Sequence, residues 1–376
     1  MDEFILKVRR HLHENPELGY DTFNTAKYIY DTLEDLGYNP IYAMENRAVL
    51  AFLDLNKEKT IGLRSDMDAL NIKEETNCDF KSKNDYMHAC GHDAHMTILL
   101  YAAKLIKENI KLVKYNILFI FQPAEEGPLP GGAFYLKEHE LIKKVDFFFA
   151  YHVSPSLNVG TIGIKLGEAC AAPDLWELEL NGVGCHASRP ENGKNPILAG
   201  SKIALKLEEF YKDFKQKENV VISTTYFNSG VSMNIIKDKA YLKGTARSFK
   251  EQTRVYLHNK MDDIIDSVCK EYGITYKFDF HYAYPPLFND KDLAKLMFKA
   301  ASLELGEANC LTLTKPELVG EDFAYYKEIA PILLTWIGAR EVGAPYYDLH
   351  NSHFLVPFET INHGAKILLN LVTKAD

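Results

Sequence analysis

The chain has 376 residues, 47% of them apolar and 25% charged, with a net charge of −9. That is the make-up of an ordinary soluble globular protein, long enough for two domains. The acidic balance argues against a nucleic-acid partner, which would favour a basic face, although one well-placed arginine still suffices to bind a carboxylate.

The N-terminal stretch MDEFILKVRRHLHENPELGY is charged and amphipathic and lacks the pattern of a signal peptide. The spacing predicts helices over residues 2–14 and 21–36, with the turn NPELG between them. Strands follow at 47–55 and 59–66, the second ending in Asp66, and a helix is expected over 92–108. Residues 114–123 and 145–152 are short, nearly continuous apolar runs of the kind that form strands buried on both faces. The pattern then changes. Residues 176–182 alternate, 196–214 read as a helix, 220–227 and 239–249 as strands, 251–272 as a helix, and 274–284 alternate again. That order is β-α-β-β-α-β, a ferredoxin-like split unit. A Pro-Pro hinge in YPPLFND (284–290) closes it, after which helix and strand signals resume, the clearest being a strand at 331–338. The expected architecture is an α/β domain, residues 1–174 plus 286–376, interrupted by a smaller α+β domain over 175–285. No run approaches about 18 uninterrupted apolar residues, so no membrane span is expected. The six cysteines (Cys78, Cys90, Cys170, Cys185, Cys269 and Cys310) have no framework spacing and read as reduced thiols in a cytoplasmic setting.

Polar clusters fall just after strands: RSDMD after one, QPAEE after another, and His152 at the end of a third. Ligand sites in open α/β sheets lie outside the carboxyl ends of strands, so the coincidence points to one site. The stretch MHACGHDAH (87–95) concentrates metal-capable side chains. A zinc finger would need a second Cys/His pair at knuckle spacing and a thioredoxin-like site would need CxxC; neither is present. What remains is Cys90 and His92 separated by Gly91, which permits a turn sharp enough for both to face one ion. Such a loop needs distant residues to complete a coordination sphere. The candidates are Glu125, Glu126, His152 and one of the late histidines, His350 or His353. Asp93 can hold a ligand histidine as a hydrogen-bond acceptor behind the metal, and His88 and His95 could equally be buried polar residues or helix-start contacts as ligands. In the pair Glu125–Glu126, one carboxylate can bind metal while the other faces water, takes its proton and passes it to a leaving nitrogen.

The motifs RSDMDAL, MHACGHDAH, FQPAEEG, YHVSP, GCHASRP, GEDFAYY and LHNSHF resemble the aminoacylase/carboxypeptidase amidohydrolases, a di-metal metallopeptidase group that includes carboxypeptidase G and indole-acetyl-amino-acid hydrolases. The resemblance spans nearly the whole chain. It implies a hydrolase acting on N-acyl amino acids with two divalent metal ions, for which zinc, manganese, cobalt or nickel would suit the donors. By position it makes Cys90, His92, Glu126, His152 and His350 metal ligands, with the Cys90 thiolate shared between the ions. It makes Glu125 the general acid/base, places Asp66 among the catalytic residues, and gives His186 the oxyanion of the tetrahedral intermediate. Asn234 and Arg247 match positions that contact the substrate and its carboxylate. It further implies that the inserted domain is a lid and dimer interface, making the protein a homodimer or higher homo-oligomer. The chain departs from the family pattern in its longer EEGPLPGGA loop (Leu129 and Pro130), in Lys237 where proline is common and in Glu191 where histidine is common. All three lie near the expected substrate rim.

Overall fold

Asn116–Gln122 (NILFIFQ) is buried along its whole length, as expected of a strand covered on both faces. It pairs antiparallel with Ala48–Leu53 and parallel with Thr60–Asp66. In the computed structural model, which describes residues 2–375, these belong to an eight-stranded mixed sheet. Its order is Pro40–Ala43, Ala48–Leu53, Asn116–Gln122, Thr60–Asp66, Phe147–Asn158, Ile332–Arg340, Ile162–Lys165, Cys310–Leu313. The central strands run parallel, so Asp66 stands opposite Gln122, and His152 opposite Trp336. The loops leaving their carboxyl ends therefore start along one edge of the sheet. His92–Glu108 is buried without a break from His92 to Ala103, the signature of a helix enclosed on all sides. Ile98, Leu99 and Leu100 of this helix share one core with Phe119, Phe149, Leu333 and Ile361.

The chain separates into two compact units. One comprises residues 1–169, 288–316 and 322–376, and the other comprises 170–287 with 317–321. The smaller unit is a four-stranded antiparallel sheet ordered Val220–Ser229, Lys239–Ser248, Ala172–Asn181, Thr275–His281. Helices Pro196–Phe214 and Glu251–Tyr272 complete the β-α-β-β-α-β order. Along Ala172–Asn181 buried residues alternate with more accessible ones. The buried side, including Trp176, Leu178 and Leu180, packs on Ile203, Leu207, Met261 and Ile265 of the helices.

Residues 170–174 go with the smaller unit rather than the larger, and the reason is local. Asp174 is buried and accepts hydrogen bonds from Arg254 Nε at 2.8 Å and Ala283 N at 3.0 Å, both within that unit. Residues 317–321 rejoin it through Ala171 N to Glu317 O at 3.1 Å and Arg247 Nε to Leu318 O at 3.1 Å. Among the described residues no helix is long and apolar enough to cross a membrane, and the six cysteines form no disulfide.

Candidate metal centre

Three unusual backbone positions bring the site together. Gly91 precedes the buried helix at φ 84°, and a Cβ there would stand 2.5 Å from Val153 Cγ2. Only glycine fits, and its turn sets Cys90 and His92 on either side. Ala124, at φ 58°, turns the chain out of its strand directly before Glu125 and Glu126. His350, at φ 65°, is fixed by its N–H donating to Ala89 O at 2.9 Å. Left-handed backbone at non-glycine residues is uncommon and concentrates where a site demands it.

The ligand atoms of Cys90, His92 and His152 lie within 4.8 Å of one another, as do those of Cys90, Glu126 and His350. Cys90 belongs to both groups. His152 donates from Nδ1 to Val153 O at 2.8 Å, which leaves Nε2 as the lone-pair nitrogen, 3.4 Å from Cys90 Sγ. His350 Nε2 stands 3.0 Å from Glu126 Oε1. Of the late histidines, His350 therefore faces this cluster, whereas His353 stacks on Tyr347 and points toward Glu75.

The electrostatics fit divalent cations. His92 is fully buried and neither ring nitrogen makes a hydrogen bond, although carboxylate oxygens of Asp68, Asp66 and Glu125 stand at 3.5, 3.8 and 3.9 Å. Burial pulls the His92 pKa down, yet Asp66 and Asp68 outweigh it and lift it to about 10. Burial also pushes the Cys90 thiol well above its ordinary value, and Glu126 and Glu125 push it further. A site that holds protons so tightly is one whose field calls for cations. A soft thiolate, imidazoles and carboxylates form a donor set that suits two transition-metal or zinc ions.

Beneath the cluster lies a buried supporting network. Asp66, expected among the catalytic residues, has both oxygens occupied: Oδ1 accepts from His95 Nδ1 at 2.7 Å and Oδ2 from Arg64 Nη1 at 2.9 Å. Burial would raise its carboxyl, but His92, His95 and Arg64 hold it well below the usual range. Val153 N donates to His95 Nε2 at 2.9 Å, so His95 carries its proton on Nδ1 and is neutral, its pKa lowered by burial to about 4. Asp66 thus positions the His152 strand end through His95. Asp322 of the GEDF segment accepts from Arg64 Nη2 at 2.8 Å, Gln122 Nε2 at 2.7 Å and Ala133 N at 3.0 Å, tying the loop after Glu126 to the sheet.

Asp68 is the residue that sequence reasoning passed over. Its Oδ1 accepts from Glu125 N and its Oδ2 from Glu126 N, each at 3.0 Å, so one buried carboxylate fixes both glutamates. The Asp-x-Asp spacing of RSDMD after a strand was the available signal. Asp93 corrects the expectation placed on it. It does not touch His92 but joins Arg9 and His13 of the first helix. His13, Glu74 and Cys78 form another compact group there, but His13 already engages Asp93 and Glu74 through its two ring nitrogens, and the Arg9 guanidinium adds positive charge.

Within the smaller unit, His186 pairs with Ile235 in a two-residue ladder, and Ala187 N donates to Asn234 O at 3.0 Å, which sets His186 and Asn234 side by side. Ser188 Oγ lies 2.7 Å from His186 Nδ1. Arg247 donates to Leu318 O at 3.1 Å and Ala246 O at 3.0 Å, which fixes the guanidinium plane.

A family model described as Peptidase family M20/M25/M40 matches residues 62–374. Thermostable carboxypeptidase 2 of Saccharolobus solfataricus is 34% identical over 371 residues, covering 97% of this chain and 93% of that protein. N-acetylcysteine deacetylase of Bacillus subtilis is 33% identical over 375 residues, covering 98% and 97% respectively. Among solved structures, the Bacillus subtilis YxeP protein, described as a dinuclear metal-binding peptidase of the M20 family, superposes with a TM-score of 0.84 at 30% identity over 98% of this chain and 96% of that one.

Proposed function

This chain belongs to peptidase family M20/M25/M40 and is a metal-dependent amide hydrolase, and from that premise we propose that it removes the N-acetyl group from an N-acetyl amino acid. The observation that carries the reading is the division of labour within Glu125–Glu126. With both amides fixed on Asp68, Glu126 groups with Cys90 and His350, while Glu125, 7% exposed, groups with His92 and Glu126, its Oε2 3.9 Å from His92 Nε2. Cys90, His92, Glu126, His152 and His350 would hold two divalent ions, which would supply Lewis acidity toward the amide carbonyl and toward water. Glu125 takes a proton from the attacking water and returns it to the amide nitrogen, so the C–N bond breaks to give acetate and a free amine. We assign to His186 a donor role toward the developing oxyanion, and to Asn234 and Arg247 contact with the amino-acid portion and its carboxylate. Asp66 acts through His95, which accepts from Val153 N beside His152, rather than on a reacting atom.

The leading substrate in this reading is N-acetyl-L,L-diaminopimelate, giving L,L-diaminopimelate for lysine synthesis in the cytoplasm. The segments MHACGHDAHMTI, FIFQPAEEGP, HVSPSLNVGTIGIK and GEDF support it by their similarity to bacterial N-acetyldiaminopimelate deacetylase. The inserted domain is proposed to be a lid and the dimer interface. The edge strand Val220–Ser229 exposes Tyr226 and Phe227, and the adjacent helix exposes Leu198 and Leu205, an unpaired apolar edge suited to a second copy. The test is acetate release from N-acetyl-L,L-diaminopimelate, with N-acetylmethionine and a dipeptide in parallel. Release from the first alone supports the assignment. Turnover confined to the others keeps the reaction and removes the substrate.

A further inference from the structure

In the smaller unit, segment 183–194 is closed at its neck, where Val183 N donates to Lys194 O at 3.0 Å and Lys194 N to Val183 O at 2.9 Å. Within it, Cys185 and His186 pair with Ile236 and Ile235. Gly193 lies so close that a Cβ there would stand 2.5 Å from Cys185 Sγ. Directly after the ladder the chain turns, with Arg189 N donating to His186 O at 2.9 Å. A loop tied at so many points presents His186 and the neighbouring Asn234 along one groove of about 390 Å³, within the range of small-molecule pockets (about 300–1,000 Å³).

The imidazole is held by its own turn. Ser188 N donates to His186 Nδ1 at 3.2 Å, and the Ser188 hydroxyl lies 2.7 Å from the same nitrogen. This is the arrangement by which a side-chain acceptor opening a turn takes the N–H two residues on. A backbone N–H can only donate, so Nδ1 carries the lone pair, the hydroxyl donates to it as well, and the neutral ring keeps its proton on Nε2. Among the described residues Nε2 has no hydrogen-bond partner, which leaves that N–H for a ligand. Asn234 is held alike. Its Oδ1 lies 2.6 Å from the Ser232 hydroxyl, a separation within the O–H···O range of about 2.5–3.0 Å and short for N–H···O, about 2.7–3.2 Å. The hydroxyl therefore covers the amide oxygen and leaves the NH2 free. With both acceptors covered, His186 and Asn234 offer donors only.

We propose that Ser188 and Ser232 are positioning residues for this pair: Ser188 holds His186 as the Nε2–H tautomer, and Ser232 holds the Asn234 amide with its NH2 outward. Neither serine touches a reacting atom. In the other tautomer His186 would turn a lone pair toward a developing negative oxygen and repel it. As held, the donor is in place before the charge forms, so no reorganisation is needed when it does. The pair is thereby matched to a carbonyl oxygen gaining negative charge or to a carboxylate, and not to an ammonium group. This rests on the reading of His186 and Asn234 as donors to the substrate.

The experiment follows the ring directly. In metal-loaded enzyme carrying isotope-labelled histidine, long-range proton–nitrogen correlation spectra report which ring nitrogen holds the proton. They are recorded at about pH 9, well above the ordinary imidazole value of about 6.5, and the His186 signals are those lost in His186→Gln. Wild type should show Nε2–H, Ser188→Ala should gain a measurable share of Nδ1–H, and Ser188→Thr should restore the wild-type pattern. On an N-acetyl amino acid that the wild type hydrolyses, Ser188→Ala should lower kcat about two- to tenfold, the scale of one hydrogen bond, and leave KM within about twofold. Ser232→Ala should lower kcat/KM by a similar factor, and threonine at either position should recover the loss. Nδ1–H in the wild type, an unchanged tautomer in Ser188→Ala, unchanged rates in both alanine variants, or losses that threonine does not restore, overturn the proposal. Full activity in His186→Gln would instead defeat the reading of His186 as an oxyanion donor, and the ring spectra would still decide whether Ser188 sets the tautomer.

Discussion

Replacing Asp68 by asparagine keeps the side chain's shape and removes one of its two acceptors. Asp68 is 1% exposed, and each oxygen holds one backbone N–H, that of Glu125 and that of Glu126, at 3.0 Å. In the variant the carbonyl oxygen retains one of these bonds, while the amide NH2 confronts the other N–H. An orphaned buried donor costs about 1–3 kcal/mol. The loop can relieve that cost by shifting, and a displacement near 1 Å at a catalytic group lowers rates by about 10²-fold. The variant should therefore melt a few degrees lower and show kcat reduced by about two orders of magnitude. Steady-state acetate release, metal analysis and a thermal melt together make the assay. A kcat within about twofold of wild type, with an unchanged melting temperature, would show that Asp68 does not hold the two glutamates and would refute the reasoning.

Glu125→Ala should bind metal like the wild type, since Cys90, His92, Glu126, His152 and His350 are untouched, yet lose about 10²–10⁴-fold in kcat; retained turnover would remove Glu125 from its role. Gly91→Ala adds a Cβ at φ 84° that meets Val153 Cγ2 at 2.5 Å. It should cost about 1–2 kcal/mol for the left-handed residue plus about 1–3 kcal/mol of overpacking, read as a lower denaturant midpoint and weaker metal retention. For Glu74, burial raises the carboxyl, but hydrogen bonds from His13 and Thr76 outweigh it and bring the pKa down from 4.5 to about 2. A depressed carboxyl contributes stability that is present above its unfolded value and is lost as pH falls through its folded one. Glu74→Gln should therefore be less stable than wild type at pH 7, with the gap closing between about pH 4.5 and 2. Denaturant melts at pH 7, 5 and 3 check this, and a gap independent of pH would contradict it.

The elements legible in the sequence were those with an unambiguous period or composition. Alternation marked Ala172–Asn181 and Thr275–His281, and unbroken apolar runs marked Asn116–Gln122 and Phe147–Asn158. Pro40–Ala43, Ile162–Lys165 and Cys310–Leu313 escaped because four residues are too few to show a period, and pairing with neighbouring strands makes them. At the site, Cys90 and His92 stood out through the density of metal-capable side chains in MHACGHDAH, and Glu125, Glu126 and His152 because they fall at or just after strand ends. Asp68 did not, because its partners are backbone amides 57 and 58 residues away. Asp93 misled for a geometric reason. Successive helical residues point about 100° apart, so His92 faces the metal cluster while Asp93 faces Arg9 and His13. The left-handed turns at Ala124 and His350 leave no trace in residue type at all.

The account stands on a centre in which Cys90 serves both ligand groups. The most direct test is metal content measured alongside acetate release from an N-acetyl amino acid, before chelation, after exhaustive chelation and after divalent metal is restored, in wild type and Cys90→Ser. The account predicts two ions per wild-type chain, activity that disappears and returns with them, and fewer than two ions in the variant with activity reduced in parallel. Full activity in chelated protein, or a Cys90→Ser variant that keeps both ions and its rate, would contradict it.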